Sequence, residues 1–249
     1  MTDPDLSKAV VAGGAALMSF PQPGVAVVFG ATGGIGAALV EAIRATGRLS
    51  HVIAFSRSTS PSIDLLDEPT LERAAKLAAG TGELRLVVDA TGFLHDEQQL
   101  PEKSWQELDA AKLGRAFALN AIGPALLMKH VLPRLSPTGK AVFATLSARV
   151  GSIGDNRLGG WYAYRASKAA LNQLVRTAAI ELSRRRPEAL AVALHPGTVA
   201  TPLSAPFAKS GLEVHDPAAA ARHLLAVIDG LGVESSGGFF DWRGHAVPW

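Results

Sequence analysis

The stretch "GVAVVFGATGGIG", residues 24–36, constrains this chain more than any other. An unbroken apolar run ends on a glycine, and helical spacing begins directly afterwards in "AALVEAIRATG" (37–47). A run that short with no polar alternation reads as a strand buried on both faces. The same pattern then repeats. Strands are predicted at 51–57, 84–92, 140–147, 190–197 and 237–242, with helices at about 68–79, within 104–135, at 161–185 and at 216–232. Apolar strands separated by helices require a parallel sheet covered on both sides. Hydrophobic residues at 48% and charged residues at 18% supply the apolar surface for that arrangement.

The expected fold is therefore α/β: a single Rossmann-type doubly wound parallel sheet with helices on both faces, spanning 24–249. Residues 1–23 read as an N-terminal appendage outside it, with disorder and a start at Met18 as open alternatives. The absence of cysteine removes disulfides, thiolate zinc sites and a cysteine nucleophile, and fits a cytoplasmic location. A formal charge of +2 is too small to argue for nucleic acid. Residues 9–40 carry no charge, but "SFPQPG" and the glycines after it interrupt any spanning helix, so no membrane segment is expected. His95 and His195 lack the spacing of a ligand pair, so no metal is expected. "TLSAR" is not a nucleophile elbow.

In doubly wound sheets the ligand lies outside the C-terminal strand ends. Gly30, Gly34 and Gly36 stand at that place in the first strand–helix turn, where missing side chains let a pyrophosphate approach free helix amides. The second strand ends "FSRS": Ser56 stands where a ribose-binding acid is expected, and Arg57 follows. A guanidinium suits a 2′-phosphate, which favours NADP (NADPH) over NAD; a merely solvated arginine is the plainer alternative. The chain's two tyrosines, Tyr162 and Tyr164, open the 161–185 helix, and only Tyr164 has a lysine, Lys168, one turn on.

Taken in order, "GATGGIG", "DATG" (89–92), Asn120 in "ALNAIGP", Ser147 in "TLSARVGS", Tyr164-x-x-x-Lys168 and "HPGTVATP" (195–202) resemble the short-chain dehydrogenase/reductase family. "LHDEQQLPEKSW" (94–105), residues 147–172 and "FFDWRGHAVPW" (239–249) are most similar to its branch of C-factor signalling proteins and sniffer-type carbonyl reductases. The resemblance implies a hydride exchanged with a small-molecule carbonyl or alcohol. Tyr164 would be the acid/base, Lys168 would lower its pKa and grip the nicotinamide ribose, and Ser147 would hold the substrate oxygen. Asn120 would orient a relay water; a local hydrogen-bonding or kink role is its duller alternative. For the cofactor the resemblance implies Gly30, Thr32, Gly34, Ile35, Gly36, Ser56, Arg57, Asp64, Leu65, Ala90, Thr91, Gly92, Tyr164, Lys168, Pro196, Gly197, Val199 and Thr201.

Two departures stand out. "DATG" replaces the family's Asn-Asn-Ala-Gly after its fourth strand, which makes Asp89 a structural hydrogen-bonding residue by expectation. "GDNRLGG" lengthens the gap from Ser147 to Tyr164 and is expected to shape a cleft wall. The segment 203–215 covers the cleft and, being short and mixed in polarity, suggests a small or medium substrate. A non-catalytic NADP-binding sensor is the rival function, opposed by the intact Asn120, Ser147, Tyr164 and Lys168 set. The family pairs subunits through helices at about 113–135 and 161–185. Ala169, Ala170, Leu174, Ala178 and Leu182 form an apolar stripe on the second, implying a homodimer or homotetramer.

Overall fold

The computed structural model describes residues 16–207 and 213–249. Six strands form one all-parallel sheet: β1 Val25–Phe29, β2 His51–Phe55, β3 Leu84–Asp89, β4 Ala141–Leu146, β5 Ala189–His195 and, numbered in chain order, β8 Phe239–Asp241. Their spatial order is β2-β1-β3-β4-β5-β8. Every residue of β1, β3 and β4 is buried, as unbroken apolar runs require. The remaining strands, β6 Thr198–Val199 and β7 Val214–His215, form a separate short pair after β5.

The helices divide between the two faces. Helices α1 Gly34–Thr46 and α6 Pro217–Gly230 pack together on one face, around Leu39, Ile43, Leu224 and Ile228. The other face carries α2 Glu68–Thr81, α3 Ala110–Phe117, α4 Gly123–Val131 and α5 Tyr162–Arg185, around Phe29, Leu71, Leu127, Phe143 and Leu171. Among the described residues one helical stretch, Ala110–Arg134, is long and apolar enough by composition to cross a bilayer, with mean hydropathy 1.2. It is interrupted by a π-helical turn at Ala118–Ile122, and its apolar side packs on α2, α5 and the sheet.

One expectation changes. The appendage does not extend to residue 23: Leu17 and Phe20 are fully buried against the α1/α6 face. Asp229 at the end of α6 accepts from the Met18 amide at 3.1 Å and the Ser19 amide at 2.9 Å, and Arg48 donates to the Phe20 carbonyl at 3.0 Å. The proline-rich break disguised two core anchors flanking a turn. Residues 1–15 lie outside the described residues. As expected, "DATG" begins on the last residue of the third strand, β3, and residues 56–67 form no strand beyond β2. They turn back on themselves instead, with Ser56 accepting from Ile63 N at 3.0 Å, and lead into α2.

Candidate active site

The switch point lies between β1 and β3, and the predicted residues gather at the strand ends around it. Gly30 has φ +76°, and a Cβ there would stand 2.9 Å from the Ala90 backbone. A Cβ on Gly36 would overlap the Gly30 carbonyl oxygen, so both glycines are dictated by close backbone approach. Helix α1 starts after Gly33 with no side-chain cap and no acid in its first turn. Its first amides thus face outward beside exposed Thr32 and half-buried Gly34 and Ile35. Gly34 packs against Thr201, whose neighbours Thr198, Pro202 and Val214 line a cavity of about 380 Å³. Pro196 and Gly197 are half-buried after β5, and Val199 is buried. That cavity contains none of the four proposed catalytic residues.

At the other edge, Ser56 is buried and locally engaged. Its hydroxyl lies 3.2 Å from that of Ser58 and accepts from the Ser58 amide. Arg57 is exposed beside it. Asp64 accepts from the Leu66 amide at 2.9 Å, while Leu65 is buried against Gly123. Both serve the turn into α2 in this structure.

The catalytic candidates converge. Lys168 is 2% exposed, donates to the Leu146 carbonyl at 2.8 Å, and places its ammonium 5.9 Å from the centre of the Tyr164 ring. Burial lowers its pKa to about 8, with Asp89 opposing the shift. Tyr164 is half-buried, and burial pushes its phenol up to about 12. Desolvation is the cause of this shift, and the lowering expected from Lys168 together with an oxidised nicotinamide ring belongs to the cofactor-bound state. Gly92 leaves its Cβ position 3.6 Å from the Lys168 ammonium and 3.9 Å from the Asn120 carbonyl oxygen, so the three meet at one point.

Asn120 sits fully buried within the π-helical turn, a distortion frequent at functional sites. Its amide accepts from Phe93 N and donates to Phe93 O, both at 2.7 Å, and donates to Ser167 Oγ at 3.1 Å. These bonds span 27 and 47 residues, so they are not the local helix bonds of the duller alternative; Asn120 clamps the chain just after Gly92. Asp89 is fully buried, accepting from Thr91 Oγ1 at 2.5 Å and Thr145 Oγ1 at 2.7 Å. These bonds supply the partners its carboxylate needs.

Ser147 donates its hydroxyl proton to Asn172 Oδ1 at 2.6 Å, and the Asn172 Nδ2 is buried without a partner among the described residues. Asn172 was not singled out in the sequence, although it lies one further turn along the helix from Lys168, on the same face. Glu102 was also missed. This buried carboxylate accepts from Ala163 N at 3.1 Å and so caps α5, since Trp161 at the N-cap makes no side-chain cap. Tyr162 is half-buried at the same helix start. Of the cleft-covering segment 203–215, residues 208–212 lie outside the described residues.

Three comparisons show which known proteins this chain is similar to. The family described as "Enoyl-(Acyl carrier protein) reductase" matches residues 53–226. The C-signal of Myxococcus xanthus is 43% identical over 144 residues, covering 57% of this chain and 82% of that protein. A 1-hydroxy-2-glutathionyl-2-methyl-3-butene dehydrogenase from Rhodococcus is 33% identical over 192 residues, covering 77% and 80%. Among solved structures, the carbonyl reductase Sniffer of D. melanogaster matches with TM-score 0.79 at 23% identity, over 92% of this chain and all of that one. An NADPH-bound carbonyl reductase from chicken fatty liver has TM-score 0.79 at 22% identity, over 96% of this chain and all of that one. At such identities the structural likeness is one of fold.

Proposed function

The chain belongs to the short-chain dehydrogenase/reductase family, and on that premise we propose an NADP(H)-dependent reduction of a carbonyl, or the reverse alcohol oxidation. The observation that carries the reading is the buried Lys168 ammonium beside the Tyr164 ring, with Ser147 at the end of the neighbouring strand. The glycine turn fits the cofactor: uncapped amides and missing Cβ atoms suit a pyrophosphate. Thr32, Gly34, Ile35, Ala90, Thr91, Pro196, Gly197, Val199 and Thr201 would border it. A bound NADP(H) would supply or accept the hydride.

The chain's own residues handle the oxygen and its proton. A phenol near 12 stays protonated at neutral pH, so Tyr164 carries the proton that reduction needs, and efficient transfer requires its pKa to fall towards the working pH. Regenerating or using the phenolate requires a nearby cation, and Lys168 is placed to provide it. Ser147 would orient the substrate oxygen. With its proton on Asn172 it can only accept; turning the Asn172 amide would bring the unpartnered Nδ2 onto Ser147 and release the hydroxyl proton for the substrate oxygen. Asn120 keeps Gly92 and Phe93 fixed beside Lys168.

Exposed Arg57 supports NADP as the preferred cofactor. Arg57→Asp should cost NADPH binding roughly 2–3 kcal/mol and NADH much less, because it replaces phosphate attraction by repulsion. Fluorescence titration with both cofactors tests this; equal losses would refute the preference. The activity itself is tested by NADPH oxidation with aldehydes, ketones, diketones and an enoyl thioester. Tight NADPH binding without turnover across that panel would favour the sensor reading instead.

A further inference from the structure

Trp161 is one of two non-glycine residues with positive φ among the described residues, at φ 54° and ψ 42°. The residues before it, Gly159 and Gly160, also have φ of +63°. A bulky side chain in that region is a conformational outlier, and two glycines beside it show how cheaply the turn could be built. The strain is held by dedicated contacts. The Trp161 amide donates to the Glu102 carbonyl, and Arg165 Nε donates to the Gly160 carbonyl at 2.9 Å and the Gly159 carbonyl at 3.2 Å. Strain maintained in this way is common where a side chain has a task.

The indole then forms one link in an aromatic row. Trp161 meets Tyr164 edge-on at 6.2 Å and Phe207 at 5.0 Å between ring centres, and Phe207 meets His95 at 5.2 Å. His95 Nε2 lies 3.1 Å from the Leu203 carbonyl oxygen, tying the loop after β3 to the segment carrying Phe207. All four rings are half-buried, so they form neither core nor free surface. Half-exposed aromatics leading away from a reacting group are what a ligand wall requires.

We propose that Trp161 and Phe207 form an aryl-binding wall beside Tyr164, making the chain selective for carbonyls that bear a flat aromatic ring. The proposal rests on Tyr164 being the reacting acid. Benzaldehyde and cyclohexanecarboxaldehyde, equal in ring size but differing in flatness and π-surface, form the test pair with NADPH. Wild type should favour the aryl aldehyde in kcat/KM by about 5–10-fold, largely through KM.

In Trp161→Gly and in Phe207→Ala the ratio should fall towards 1. Trp161→Gly should melt no lower than wild type, since glycine relieves the left-handed strain. Leu158→Ala, in the same loop but 87% exposed, should keep the wild-type ratio. An unchanged ratio in both wall variants overturns the proposal, as does equal use of both aldehydes by wild type. Wild type reducing no carbonyl at all would instead remove the reading of Tyr164 on which it stands.

Discussion

At the residue scale, the sequence exposed groups that follow one another along the chain and hid those that meet only in space. Helical spacing joined Tyr164 to Lys168, and the ordered family motifs gave the pair its role. Ser147 and Asn172 lie on different elements, so nothing in the sequence linked them before folding. Asn172→Leu should lower kcat about tenfold or more while leaving NADPH affinity within twofold, because it acts on Ser147 and not on the cofactor turn. Parallel kinetics and titration check this; a loss confined to cofactor binding would contradict it.

Lys168 also predicts a pH effect on stability. Its folded value is about 8 against an ordinary 10.5, so between those values the unfolded chain binds the extra proton. Unfolding free energy therefore gains a contribution as pH rises from 8 towards 10.5, and the penalty is complete below 8. Urea midpoints at pH 7.5 and 9.5 should show this gain in wild type and less of it in Lys168→Met. Identical pH slopes would mean that the ammonium is not desolvated.

At the element scale, the apolar runs located all six strands of the main sheet, most plainly β1, β3 and β4, which are buried throughout and have no alternation to confuse the pattern. The short pair β6/β7 was not legible: two residues on each side carry no periodicity. The missed packing of residues 17–20 has a comparable cause, since Leu17 and Phe20 gain meaning only from α6 and β4. Lys140, just before β4, illustrates the same dependence. Its ammonium donates to the carbonyls of Ile228 and Asp229 at 2.8 Å and Leu231 at 2.7 Å, closing the C-terminus of α6, and lies 5.1 Å from the Phe20 ring centre. Lys140→Met should lower stability at pH 7 by roughly 2–3 kcal/mol, since it strands carbonyls at a helix end. Chemical denaturation measures it; a change below about 0.5 kcal/mol would show that water replaces the lysine.

At the scale of the whole molecule, the apolar stripe on α5 is partly consumed within one chain. Leu182 is buried, and Leu174 and Ala178 pack against the core, while Ala169 and Ala170 are half-buried and Ile180 is 47% exposed. We expect the remainder to pair two copies about a two-fold axis, and light scattering of dilute protein should give at least a dimer. A stable, active monomer would remove that expectation. The central claim is hydride transfer with Tyr164 as the proton donor. It is tested most directly by supplying NADPH carrying deuterium at the transferable C4 position and analysing the alcohol product by mass spectrometry. Wild type should place one deuterium on the carbinol carbon, and Tyr164→Phe, still binding NADPH, should form at least a hundredfold less labelled alcohol, in line with the loss of a general acid (about 10²–10⁴). Absence of label in the wild-type product, or undiminished labelling by Tyr164→Phe, would contradict it.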